Sequence, residues 1–181
     1  KAIVVTEGFT DGHFVKVCCE AAGRADLLEG LHFLPSGGAS KLVPQAILAR
    51  AATDTPVIAL LDHDESGRDA TAKLESRTWN WNTNRELLSL QKWPNACGRH
   101  DIEIEDLLPV DAVEGLIKKL GENIALDGKE KCRGSWHYRL SAAAKSEAIA
   151  LLPSLMSKSD PGGMVWLAGE LQRRAASMTP D

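Results

Sequence analysis

The run Val57 to Leu61, VIALL, has no polar alternation and stops abruptly at Asp62, Asp64 and Glu65. A strand that hides both faces from water reads this way, and such strands belong to parallel sheets covered by helices on either side. The neighbouring segments agree. Ala2 to Thr6 is a β-branched run of strand length, Leu31 to Leu34 is a second short strand, and Glu86 to Leu90 is a weaker one. Helical patterns lie between them. Asp11 to Ala22 places Phe14, Val15, Cys18, Ala21 and Ala22 on one face before Gly23. Ser40 to Ala52 is a helix that Ser40 can cap, with Pro44 tolerable only near its first turn, and Gly67 to Ser76 is another. The order β-α-β-α-β-α-β predicts an α/β domain on a mainly parallel sheet flanked by helices.

Past that point the pattern changes. Val110 to Leu120 is amphipathic and ends at Gly121, Asp127 to Tyr138 is polar and reads as loop, and Leu140 to Leu152 is helical. Asp160-Pro161 has the form of an N-cap and first helical residue, so a last helix is expected to run to about Ser177. Residues 1–108 are therefore expected to form the catalytic core. Residues 109–181 are expected to form a helical part packed on it or inserted into it.

Bulk properties narrow the class. With 44% hydrophobic and 25% charged residues the chain is not a disordered one. No apolar run approaches the roughly 20 residues of a membrane span. The opening KAIVVTEG is strand-like rather than a leader, and its lack of an initiator Met suggests a piece of something longer. Cys18, Cys19, Cys97 and Cys132 show no CxxC spacing, so buried or free thiols in a reducing cytoplasm are expected. The net charge of −4 means that any contact with phosphate must be local or carried by a cation.

Two acidic clusters fall at the carboxyl ends of strands, where open parallel sheets build their sites. Glu7 follows the first strand, with Asp11 in the next turn, and Asp62 and Asp64 follow the VIALL strand. If those strands are neighbours, four carboxylates converge and repel unless a cation lies among them. An all-oxygen set selects a hard ion, Mg²⁺ or Mn²⁺. A second reading of Asp64, Glu65 and Ser66 is simply the cap of the following helix. His63 alternates away from its two aspartates.

These residues resemble the motifs of the Toprim domain, the catalytic fold shared by topoisomerases, bacterial primases and nucleases of the overcoming-lysogenisation-defect (OLD) family. TEGFTDGHFV resembles the element that carries the family glutamate, and LLDHDESGRDA its DxD element with a following glycine. FLPSGGASK resembles the second-strand turn. IEIEDLLP is similar to an element of the OLD branch, in which a Toprim nuclease with a helical insertion follows an ABC-type ATPase. The chain has no Walker A loop, so the resemblance implies the nuclease part alone, its ATPase part missing from this sequence.

The resemblance also implies a mechanism: cleavage of DNA phosphodiester bonds by two divalent ions, Mg²⁺ or Mn²⁺. Asp62 and Asp64 match the DxD ligands, Glu7 the family glutamate as ligand or proton-transfer group, and Asp11 a second acid of the OLD branch. Glu105 is a candidate ligand, with a solvated strand residue beside a capping Asp106 as the alternative. Ser66 either orients a ligand or only caps a helix. Lys145 matches the late lysine of the OLD scheme, in competition with Lys129, Lys131 and Lys158, and with an ordinary solvated lysine as the alternative. The stretch Lys129 to Lys145, with Trp136 and Tyr138 interleaved among its cations, either grips nucleic acid or is a surface loop with one Trp tucked inward. Trp79, Trp81 and Trp93 read as packing for the inserted part. Two rival functions remain: a primase-type nucleotidyltransferase, and a non-catalytic Toprim-shaped binding module. A topoisomerase is disfavoured because the single tyrosine, Tyr138, has no supporting motif.

Overall fold

The computed structural model describes residues 1–96, 101–132, 135–156 and 162–178. Four parallel strands, β1 (Ala2–Thr6), β2 (Leu31–Pro35), β3 (Val57–Leu61) and β4 (Leu87–Ser89), form one sheet in the order β2-β1-β3-β4. Helix α1 (Asp11–Ala21) joins β1 to β2, α2 (Ala39–Ala52) joins β2 to β3, and α3 (Glu65–Glu75) leads from β3 towards β4. All five residues of VIALL are buried, as expected of a strand covered on both faces.

The two faces follow the period of the strand. Val4, Ile58, Leu60 and Leu88 point to the side that holds α1, where Phe14, Val15 and Cys18 meet them. Val5, Val57, Ala59, Leu61 and Leu87 point to the other side, against Leu42 and Ala46 of α2 and Ala70 and Leu74 of α3. Thus α1 lies on one face and α2 on the other, and the chain reverses its winding between β1 and β3. That reversal opens a crevice at the carboxyl ends of these two strands.

The C-terminal part covers the α1 face. It comprises α4 (Val110–Leu120), the single turn α5 (Glu122–Ala125), strands β5 (Leu126–Cys132) and β6 (Ser135–Leu140), α6 (Ala142–Leu155) and α7 (Met164–Met178). Leu116, Ala148, Leu152, Leu167 and Leu171 share one hydrophobic cluster with Phe14 and Ile58. Arg174 of α7 is fully buried and ties the layers together. Its guanidinium donates to the Leu87 carbonyl at 2.5 Å and the Thr83 carbonyl at 3.1 Å, and pairs with Glu170 at 3.0 Å.

Several expectations need correction. Across Asp127 to Tyr138, expected as loop, strands β5 and β6 pair antiparallel, with Lys131 opposite Trp136 and Lys129 opposite Tyr138. Both faces of this hairpin carry polar residues, so the usual inside–outside alternation of a strand is missing. The C-terminal part is therefore not wholly helical. Trp136 is exposed rather than tucked inward, with the Lys129 and Lys131 ammonium groups each 5.6 Å from its ring. Trp81 packs on the α2–α3 side under Arg50, Trp79 is exposed, and only Trp93 lies against the cluster that holds the C-terminal helices. Gly38, not Ser40, precedes the first residue of α2, and Pro44 lies inside that helix beyond its first turn. Cys18 and Cys19 are buried free thiols, but Cys132 is disulfide-bonded. Cys97, Asp160 and Pro161 fall outside the described residues. Among the described residues, no helix is long and apolar enough to cross a membrane.

Candidate functional site

Glu7 and Asp62 stand at the two lips of the crevice, each one residue past its strand. Adjacent parallel pairing of β1 with β3, Val4 beside Ile58 and Val5 beside Ala59, makes them neighbours. The Glu7 position is held from both sides. Its carbonyl accepts from the N–H groups of Gly37 and Gly38 at 3.1 and 3.0 Å, latching the β2–α2 turn, and its carboxylate accepts from the Ala39 N–H at the start of α2.

Asp11 opens α1 and is buried. One carboxylate oxygen accepts from the Gly8 N–H at 2.8 Å. A Cβ on Gly8 would stand 2.5 Å from that carboxylate, so the tight return from Glu7 to Asp11 requires glycine. Asp64 caps α3: its side chain accepts from the Gly67 N–H at 2.6 Å and from the Ser66 hydroxyl at 3.0 Å. The two readings of Asp64 are thus compatible, since the capping residue also faces the crevice closely enough to act on Glu7. Ser66 is not the cap; it holds the carboxylate of the residue that is. A Cβ on Gly67 would collide with the Asp62 carbonyl oxygen, which explains the glycine that follows the two aspartates.

Glu105 arrives from elsewhere in the chain. Just past β3, His63 forms an isolated antiparallel bridge with Ile102, the two exchanging N–H···O bonds of 2.7 and 3.1 Å. This bridge brings segment 101–105 alongside the end of β3. Glu103 then opens a short 3₁₀ turn, Ile104–Leu107, with the Asp106 carboxylate accepting from the Glu103 N–H in a reciprocal capping box. Asp106 also meets His137 Nδ1 of the hairpin at 3.0 Å. Glu105 is buried rather than a solvated strand residue.

Lys145 completes the cluster from the first turn of α6, which Ser141 caps at the Ala144 N–H. Its ammonium lies 2.5 Å from Glu105 and 3.7 Å from Glu103. Of the competing lysines, Lys129 pairs with Glu122 at 2.6 Å on the hairpin and Lys131 lies over Trp136. Lys158 falls outside the described residues. Glu103 was not singled out by the sequence motifs. The alternation in IEIE was the available signal, since it puts residues 103 and 105 on one side of an extended segment.

The electrostatics follow from this crowding. Loss of solvent, with the charges of Glu105, Asp11 and Glu7, holds the Asp62 carboxyl well above the usual carboxylate range. Burial, offset in part by the Gly8 N–H, pushes Asp11 up to about 7. Burial and then the Asp64 charge raise Glu7, and burial and then Glu105 raise Glu103. For Lys145, burial favours the neutral amine, but Glu105, Glu103 and Asp62 outweigh it and keep the ammonium form above its ordinary pKa. Charge of one sign has been concentrated where water is scarce; the Lys145 ammonium offsets it, with Arg139 acting on Glu103.

Among the described residues, no three His, Cys, Asp or Glu side chains stand together as a ready set of metal ligands. The oxygens have other partners: Asp11 faces the Gly8 N–H, Asp64 faces Gly67 and Ser66, and Glu105 faces Lys145. One oxygen differs. Glu105 Oε2 is buried and has no hydrogen-bond partner.

Compared with family models, with curated proteins and with solved structures, the chain matches none.

Proposed function

We propose that this chain is the Toprim-type nuclease part of an OLD-like ATPase–nuclease, hydrolysing DNA phosphodiester bonds with Mg²⁺ or Mn²⁺. The observation that carries the reading is the convergence of Glu7, Asp11, Asp62, Asp64 and Glu105 with Lys145 in the switch-point crevice of a parallel sheet. Oxygen donors alone suit a hard divalent ion. The orphaned Glu105 Oε2 is a donor atom awaiting a cation. The raised carboxyl pKa values are what a cluster built around missing positive charge displays.

Asp62, Asp64, Asp11 and Glu105, with Glu7, would hold the ions. Bound there, they supply Lewis-acid polarisation of a phosphoryl oxygen and acidification of water. The protein's own groups do the rest. Ser66 and the Gly67 N–H fix the Asp64 carboxylate. Glu7, its carboxyl raised by burial and the Asp64 charge, is placed to accept and return a proton. Lys145 places a positive charge where negative charge develops on phosphorus.

A second reading, a non-catalytic Toprim-shaped module, has one observation on its side: Lys145 already gives the cluster a cation. Plasmid cleavage separates the two. Nicking or cutting is expected with Mg²⁺ or Mn²⁺, lost with chelator and abolished in Asp62→Ala. Undiminished cleavage by that variant in a nuclease-free preparation would sink the assignment of the site. Primer synthesis from nucleoside triphosphates, without cleavage, would point to the primase-type alternative.

A further inference from the structure

We propose that Lys145 is a built-in counter-ion that neutralises the carboxylate cluster when no divalent ion is present, and that a divalent ion binds by displacing its ammonium group from Glu105. This inference rests on the metal-dependent reading above.

The geometry places the ammonium in the position of a cation rather than of a surface lysine. It contacts Glu105 at 2.5 Å and Glu103 at 3.7 Å, and it lies within the field of Asp62. The first turn of α6 brings it there. Ala144, beside it in the chain, is fully buried, so the helix backbone approaches closely and the lysine reaches inward.

The pairing is incomplete. Glu105 gives one oxygen to Lys145, while Oε2 is buried without a partner. A half-satisfied carboxylate in a place that excludes water is costly, and a divalent ion relieves it more fully than an ammonium does. Six carboxylates, Glu7, Asp11, Asp62, Asp64, Glu103 and Glu105, act on one another or on Lys145 here. Lys145, with Arg139 acting on Glu103, does not balance them.

Exchange follows from repulsion. A divalent cation seated on Glu105 Oε2 would stand a few ångströms from the ammonium on the other oxygen with little water between them, and this repulsion weakens the hold of Lys145 on Glu105. Lysine has a flexible four-carbon stem and can yield its place. Once displaced, the ammonium is free to meet the phosphate of a phosphodiester. The same residue then serves the cluster before metal binding and the substrate after it.

The experiment is Mn²⁺ binding by calorimetry to metal-free wild type, Lys145→Gln and Lys145→Arg. Removing the competing charge should tighten Mn²⁺ binding by about tenfold or more in Lys145→Gln, while Lys145→Arg stays near wild type. In chelator, Lys145→Gln should be the less stable protein and should regain stability on adding Mn²⁺. If it folds only with Mn²⁺, that supports the same conclusion. A lysine that acts only on substrate predicts unchanged Mn²⁺ affinity, and unchanged or weaker binding by Lys145→Gln overturns the proposal.

A second measurement needs no variant. The hydrogen-bonded ammonium of Lys145 should give a slowly exchanging ¹⁵Nζ signal in metal-free wild type that is lost as Mg²⁺ is added. Persistence of that signal at saturating Mg²⁺ also overturns it. Failure of the underlying reading looks different: neither protein then binds a divalent ion, and Asp62→Ala leaves cleavage unaltered.

Discussion

Asp11→Asn should stabilise the metal-free protein, because it removes a buried negative charge and little else. Asparagine keeps an oxygen to accept the Gly8 N–H, which the aspartate accepts at 2.8 Å, and it fills the same space at the start of α1. The Asp11 carboxyl is raised from 3.8 to about 7. Raising it that far corresponds to about 4 kcal/mol between folded and unfolded chains. The sign is set by linkage. A carboxyl raised on folding binds its proton more tightly in the native state, so native stability falls as pH rises from 3.8 to about 7. The penalty is absent below that window and complete above it.

Asp11→Asn should therefore exceed wild type by about 2–4 kcal/mol at pH 8 in chelator, with the gap closing towards pH 3.8. In melting temperature this is on the order of 5–15 °C for a chain of this size. Part of the gain comes from Asp62, whose carboxyl Asp11 helps to raise. Urea denaturation at pH 8, 6 and 4 measures it. Adding Mg²⁺ should then narrow the gap, since wild type gains about 2.7 kcal/mol at a hundred times its Kd and the variant gains less. Equal or lower stability of Asp11→Asn at pH 8, or a gap that does not shrink in acid, refutes the reasoning.

Two further changes test how the site is held. Gly67→Ala drives a Cβ into the Asp62 carbonyl, so it should cost about 3 kcal/mol or displace the Asp62–Asp64 segment and with it cleavage, as denaturation and plasmid nicking would reveal. Arg174→Ala strips the buried Leu87 carbonyl of its guanidinium donor and leaves the Thr83 carbonyl to Lys92, and should cost about 2–4 kcal/mol in urea without altering Mn²⁺ affinity. A normal fold in either variant would show that the packing is more yielding than these contacts imply.

Much of the sheet was legible because strands and helices write their periods locally. VIALL could hardly be other than a doubly covered strand, and Glu7, Asp11, Asp62 and Asp64 are each tied to a strand end by a few residues of chain. The hairpin at Leu126–Cys132 and Ser135–Leu140 was not legible, because its strands pair with each other and carry polar residues on both faces. Glu103 escaped notice for a related reason: its place depends on the His63–Ile102 bridge, a contact no local pattern announces.

What the amino-acid order determined by itself was the alternation of elements and the presence of acids where each buried strand meets solvent. These are consequences of backbone geometry acting over a few residues. Tertiary structure alone decided which acids meet. Placing β1 beside β3 sets Glu7 next to Asp62, the bridge at Ile102 carries in Glu105, and packing of α6 on the α1 face carries in Lys145. The physical reason is range: charges repel or pair through space, and the separations that matter here span up to 138 positions of chain between Glu7 and Lys145.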